Sequence, residues 1–343
     1  MTAESFIDLL ENYGIAHPPS MVYRDGDDFA QWQIDFRAKV ESLRGPLPER
    51  VEPTVEIVES VETDDHTRHL LRIPVSDIST LLAYLLLPHG LDPDERRPGI
   101  IACHGHATYG IDSICGVRGI DESEARESDD ARRAYALSAV RAGYVVIAPA
   151  WWGWAGRDGH LDRIGNRDKC NVIQMAAAMY GMNVLDLHIQ DGQAALDVLA
   201  ARPEVDPKRL GCLGNSYGGR MTMWLAIFDE RIKACIPAGC MNIFRERSLK
   251  LSSCGIQYLP GILRYGDVPE LFCLIAPRPM QLQVGEQDSL ITPEDRDMIE
   301  TTVRRAYHLL NAEDNFSYAR HPEGHLLLWN LAAPFLKVHL GAS

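Results

Sequence analysis

Hydrophobic positions along the chain fall into three regimes. In the first 50 residues they recur at helical spacing. Residues 5–13 place Phe6, Leu9 and Leu10 on one face, and residues 29–43 do the same with Phe29, Trp32, Phe36 and Val40. The run Gly45-Pro46-Leu47-Pro48 ends this section. Residues 55–61, 68–73 and 80–87 are rich in Val, Ile, Leu and Thr between polar turns, a pattern that predicts antiparallel strands. Beyond residue 98 the pattern changes again. Short apolar runs at 99–103, 144–148, 210–213, 232–236 and 279–284 alternate with helical stretches at 131–141, 185–201, 221–228, 293–311 and 326–337. Apolar runs that short, interleaved with helices, predict a mostly parallel sheet buried on both faces.

The expected organisation is therefore a helical extension at 1–50 and one α/β domain at 51–343. Residues 153–182 and 244–268 fit the alternation poorly and are expected to form cap-like segments beside a site. The chain shows no internal repeat of 20–50 residues, which argues against a solenoid or propeller.

Composition narrows the partners. The 343 residues carry a formal net charge of −14, which disfavours binding to nucleic acid or an anionic membrane. No apolar run approaches the ~18 residues of a membrane span. The first ten residues include Glu4 and Asp8 and no basic segment, so no signal peptide is expected. The acidic stretch 121–130, which also holds Arg126, is expected to be a solvated loop or helix start. Eight cysteines form no CxxC pair, and several sit in apolar runs. They are expected to be buried free thiols of a cytoplasmic protein. No cluster of Cys and His at metal-binding spacing is evident, so neither a metal nor an organic cofactor is expected. The expected partner is a small-molecule substrate; a homo-oligomer is left open.

The sharpest motif is Gly214-Asn215-Ser216-Tyr217-Gly218, followed by Gly219, between a predicted strand and a predicted helix. A serine at such a turn needs small residues on both sides and gains from the helix N-terminus beneath it. It also needs a base, and the base needs an orienting acid. Asp288 follows the strand at 279–284 in the turn Gly285-Glu286-Gln287-Asp288, with Glu286 as its competitor. His325 lies in His321-Pro322-Glu323-Gly324-His325, between a strand-like run at 316–319 and the closing helix, with His321 as the alternative. Histidine is the side chain suited to accept a serine proton near neutrality. Ser216, Asp288 and His325 are thus expected as nucleophile, acid and base.

His104-Gly105-His106-Ala107 follows the strand at 99–103. Gly105 is expected to permit an unusual backbone turn that aims the N–H of His106 at a developing oxyanion, with the N–H of Tyr217 as second donor. Trp151, Trp152 and Trp154 lie in a loop after another strand and suit either core packing or stacking on a substrate. Arg157 suits either a substrate carboxylate or a structural ion pair.

In this order these motifs resemble the dienelactone hydrolase and acetyl xylan esterase-like branch of the α/β-hydrolases, from about residue 55 onward. The resemblance extends to the segment 148–157, which ends in Gly156-Arg157, and to Val205-Asp206-Pro207 ahead of the serine turn. It implies an α/β-hydrolase fold and acyl transfer through a Ser-His-Asp triad. Dienelactone hydrolases proper use cysteine as nucleophile. Ser216 in that place directs the expectation to ordinary esters, with small acyl groups such as acetate preferred. The Arg-Gly-Gln motif usual among carbohydrate deacetylases of this branch is absent from the sequence. Two other readings are a peptidase of the prolyl-oligopeptidase type and a non-enzymatic binding protein on the same scaffold. The first usually carries a propeller ahead of the hydrolase domain, and the second typically lacks a triad member.

Overall fold

The structure, a computed structural model, describes residues 4–92, 94–107, 109–117, 132–154, 156–159, 168–250 and 253–341. The acidic stretch 121–130 lies outside the described residues. So do the start of the helix expected from residue 131 and parts of both cap-like segments.

Helices α1 (Phe6–Ala16) and α2 (Phe29–Ser42) form as the spacing predicts. Their fates differ. On α2, Phe29, Trp32, Phe36 and Val40 are buried in the main core, while α1 buries no residue and leaves Phe6, Leu9 and Leu10 exposed. Helix α2 is also tied to the domain through Gln33, whose side-chain amide donates to the carbonyls of Cys273 and Ala276.

Strands β1 (Glu56–Glu62), β2 (His66–Ser76) and β3 (Ser79–Pro88) make the antiparallel entry. There follow β4 (Arg97–Cys103), α3 (Ile111–Cys115), α4 (Tyr135–Arg141), β5 (Val145–Pro149), α5 (Lys169–Ala178), α6 (Val184–Ala200) and β6 (Val205–Asn215). The chain continues with α7 (Tyr217–Phe228), β7 (Ile232–Ala238), α8 (Phe244–Lys250), α9 (Val268–Cys273), β8 (Met280–Gly285), α10 (Pro293–Leu309), β9 (Phe316–His321) and α11 (Trp329–Leu340). The described strands form one sheet in the order β1-β2-β3-β5-β4-β6-β7-β8-β9, parallel from β5 to β9.

The alternation of side chains explains why the parallel strands read as unbroken apolar runs. In β4, Ile101 and Cys103 face one core and Ile100 and Ala102 the other; in β5, Val145 and Ile147 oppose Val146 and Ala148. Residues of α2, α6, α7 and α10 cover the first face and residues of α3, α4 and α11 the second. All eight cysteines are buried. Among the described residues, no helix is long and apolar enough to cross a membrane.

The chain leaves β4 toward β5 on one side and later returns to β6 on the other. A crevice opens outside the carboxyl ends of the strands at such a reversal. The carboxyl ends of β4, β6, β8 and β9 carry His104, Ser216, Asp288 and His325.

Candidate active site

The turn between β6 and α7 is built around a strained serine. Ser216 has φ 62° and ψ −123°, a conformation that side chains with a Cβ rarely adopt. Strain of this kind costs about 1–3 kcal/mol and persists where surrounding packing holds it, most often at functional sites. The neighbouring glycines are set by contact. A Cβ on Gly218 would lie 1.9 Å from the Cys103 carbonyl oxygen, and one on Gly219 would lie 2.3 Å from that of Ala238. The turn is thus wedged between the ends of β4 and β7, with the Ser216 N–H donating to the Ala238 carbonyl at 2.9 Å.

Asp288 and His325 meet across the next two strand ends. Nδ1 of His325 donates to Oδ2 of Asp288 at 2.6 Å. The Asp288 side chain is fully buried, and its other oxygen accepts from the Leu290 N–H at 3.0 Å. Glu286 is exposed and bonds through its backbone N–H to His321. His321 is itself buried, and burial lowers its pKa. The loops bearing Asp288 and His325 are pressed together, because a Cβ on Gly285 would stand 2.0 Å from the Gly324 carbonyl. Asn215, beside the serine, donates its side-chain amide to the His325 carbonyl at 3.2 Å. Nε2 of His325 has no protein partner among the described residues.

Ser216 and His325 open on the same cavity of about 310 Å³. Gly105, His106 and Asn215 line it beside them, Ile114, Leu290, Leu326 and Leu327 give it apolar walls, and Arg132, Arg133 and Tyr135 are also among its lining. Tyr135 is fixed by donating its hydroxyl to the Cys103 carbonyl at 2.6 Å. Tyr217 is the first residue of α7, so its N–H has no acceptor within the helix.

The reason for Gly105 differs from the expectation. Its φ is not among the positive values, so no left-handed turn is involved. It is required by close approach instead: a Cβ there would lie 2.9 Å from the Asn215 carbonyl and 3.2 Å from the Ser216 Cβ. That approach brings the His106 backbone beside the serine.

The tryptophan loop divides. Trp151 is fully buried, and its indole N–H donates to the His104 carbonyl at 3.2 Å. Arg157 is turned away from the substrate role considered for it. Its guanidinium pairs with buried Asp191 at 2.6 Å and donates to the carbonyls of Ala150 and Thr80. It also stacks 3.7 Å over the Trp152 ring, so Trp152 and Arg157 pack against each other. Trp154 alone of the three tryptophans reaches toward the site, with its ring 5.4 Å from His106 and 6.4 Å from Tyr217.

Two residues that frame this wall stand out only in three dimensions. His104 Nε2 accepts from the Trp151 N–H at 3.1 Å while its Nδ1 donates to the Gly105 carbonyl at 2.8 Å. His188, on α6, accepts through Nε2 from the Trp152 N–H at 3.0 Å and bonds through Nδ1 to the Tyr217 hydroxyl. These partners fix both imidazoles as neutral Nδ1–H tautomers. Burial pushes His104 down to about 3 and His188 well below the usual histidine range. The cap-like segments meet here as well, since the Gly255 N–H donates to the Asn171 side chain at 2.7 Å.

A family model for the dienelactone hydrolase family matches residues 127–321, more than half of the chain. A protein named "Putative hydrolase YtaP" from Bacillus subtilis (strain 168) is 27% identical over 299 residues, covering 85% of this chain and 94% of that protein. Two solved structures share the architecture at low identity. One is a putative acetyl xylan esterase from Bacteroides fragilis, with a TM-score of 0.77 at 16% identity over 93% of this chain and 83% of that one. The other is a glucuronoyl esterase from Solibacter usitatus, with a TM-score of 0.69 at 17% identity over 94% and 98%. The fold is that of the α/β-hydrolases, and the chain belongs to the dienelactone hydrolase family.

Proposed function

We propose that this member of the dienelactone hydrolase family is a serine hydrolase of carboxylic esters that favours small acyl groups. The observation carrying the proposal is the strained Ser216 at φ 62° opening on the same cavity as a histidine held by Asp288 at 2.6 Å. Oγ of Ser216 attacks the ester carbonyl as Nε2 of His325 takes its proton. Asp288 keeps the imidazole in the tautomer that makes this transfer and stabilises the imidazolium that results. The backbone N–H groups of His106 and Tyr217 receive the developing oxyanion. His325 then protonates the leaving alcohol. Water attacks the acyl-enzyme by the same route, releasing the carboxylic acid and restoring the serine.

The small-acyl preference rests on the cavity. About 310 Å³ is at the lower end of the roughly 300–1,000 Å³ typical of ligand pockets. Leu290, Leu326 and Leu327 form an apolar wall beside the triad that suits a short acyl group. The two solved structures described above are esterases by name, which supports an ester substrate. Trp154, at the edge of the wall, is the candidate contact for the alcohol portion.

A fluorophosphonate probe should label Ser216 in the wild-type protein and leave Ser216→Ala unlabelled. That variant should lose several powers of ten in ester hydrolysis. Across p-nitrophenyl acetate, butyrate, octanoate and palmitate, kcat/KM should fall with chain length, and a peptide amide should be a poor substrate. Wild-type turnover by Ser216→Ala would overturn the mechanism. A rising series to octanoate would overturn only the acyl preference.

A further inference from the structure

Beside the catalytic cavity stands a group of side chains that ester hydrolysis does not use. His106 lies in the loop after β4. Cys170 occupies the first turn of α5, and Cys254 immediately precedes the short 3-10 turn Gly255–Gln257. One imidazole nitrogen and the two Sγ atoms all lie within 4.8 Å of one another. Both cysteines are buried, while the His106 side reaches solvent. In a tetrahedral zinc site, with Zn–S near ~2.3 Å and Zn–N near ~2.0 Å, ligand atoms stand about 3.3–3.8 Å apart. Closure by about 1 Å would bring the three to that spacing.

The surroundings prepare these groups as ligands. The metal-binding form of cysteine is the thiolate, and a helix N-terminus favours it. Cys170 sits at such a terminus, with α5 capped by Asp168, which accepts its N–H at 2.9 Å. The bond from Gly255 to Asn171 already holds the two cysteine-bearing segments together.

We propose that His106, Cys170 and Cys254 form a three-ligand site for Zn²⁺ beside the catalytic pocket, which His106 lines, with its fourth position exchangeable. One imidazole with two thiolates is a donor set that suits zinc. The ion would join the oxyanion loop to both cap-like segments. It takes no part in the acyl transfer, and the site stands on ligand placement whether or not Ser216 is the nucleophile.

The test uses the full chain, reduced with a phosphine, stripped with a chelator and then titrated with Zn²⁺. One zinc should be retained per chain on dialysis, and Tm should rise with free zinc because the ion binds the folded form. Co²⁺ in place of zinc should produce thiolate-to-cobalt charge-transfer absorption. Cys170→Ser and Cys254→Ser should each weaken zinc binding by more than the roughly 10–100-fold cost of losing an outer-shell partner. Zinc-free ester hydrolysis by these variants should match the wild type. No zinc uptake by the reduced protein, or equal uptake by the wild type and both variants, would overturn the site. Absence of thiolate-to-cobalt absorption would overturn it without recourse to any variant.

Discussion

On the β8–β9 side of the pocket, His325 has one nitrogen bound to a buried carboxylate, and its other nitrogen has no protein partner among the described residues. On the β4–β5 side, His104 and His188 have both nitrogens engaged, and each accepts a backbone N–H from one of two consecutive tryptophans. The first arrangement leaves a lone pair available at the cavity and a carboxylate ready for the imidazolium. The second surrounds the ring with apolar packing and offers a positive charge nothing, so the ring stays neutral. The same side chain is therefore equipped to accept a proton in one place and is held as a neutral clamp in the other. What separates them is the partner set, since a base requires an unengaged nitrogen and a counter-charge.

The largest effect expected from this contrast is on His325. His325→Gln should lower kcat by about a millionfold, the scale seen when a triad histidine is removed. Its Tm should stay within a few degrees of wild type. Steady-state ester kinetics and thermal unfolding on the same preparation check this. Near-normal turnover would mean that the free nitrogen in the cavity is not the base.

A somewhat smaller loss is expected at the carboxylate. Asp288→Asn should reduce kcat by about ten-thousandfold, because an amide favours the wrong tautomer and does not stabilise the imidazolium. Glu286→Gln, on the exposed neighbour, should be within about twofold of wild type by the same reasoning about contact. Reversal of the two results would shift the counter-charge to Glu286.

On the clamp side the loss should appear in stability. His188→Leu removes the acceptor of the Trp152 N–H and one of two partners of the Tyr217 hydroxyl, and the buried N–H left unpaired costs about 1–3 kcal/mol. Urea unfolding at neutral pH measures it. The pH dependence sharpens the point. In the folded chain these rings resist protonation, His104 down to about 3, whereas unfolded histidine takes up a proton near 6.5. The unfolded state therefore gains protons first as the pH falls below 6.5. The stability contributed by the neutral rings is complete above that value and is lost toward pH 3. Each ring adds a slope of up to about 1.4 kcal/mol per pH unit. His188→Leu should lose stability less steeply than wild type in this window, and parallel profiles would show that His188 is protonated in the folded protein.

Much of the architecture is legible in the chain because the relevant physics is local. Unbroken apolar runs identify strands buried on both faces, and the Gly-rich turn around Ser216 identifies a strand-to-helix elbow. The order of Ser216, Asp288 and His325 follows from which strand ends precede them. The spacing of Phe29, Trp32, Phe36 and Val40 defines the buried face of α2. The same periodicity in α1 is left uncovered, since a period describes a face and not what packs on it. Only the tertiary structure brings Asp288 rather than Glu286 to the imidazole, a contact spanning 37 positions. It also turns Arg157 inward to Asp191, and it gives Gly105 a steric rather than a conformational reason. The pairing of His104 and His188 with the Trp151–Trp152 backbone and the gathering of His106, Cys170 and Cys254 come from segments distant in sequence. Residue type and spacing fix what a short segment does to itself. Which lone pairs, charges and thiols meet is decided by how strand ends converge.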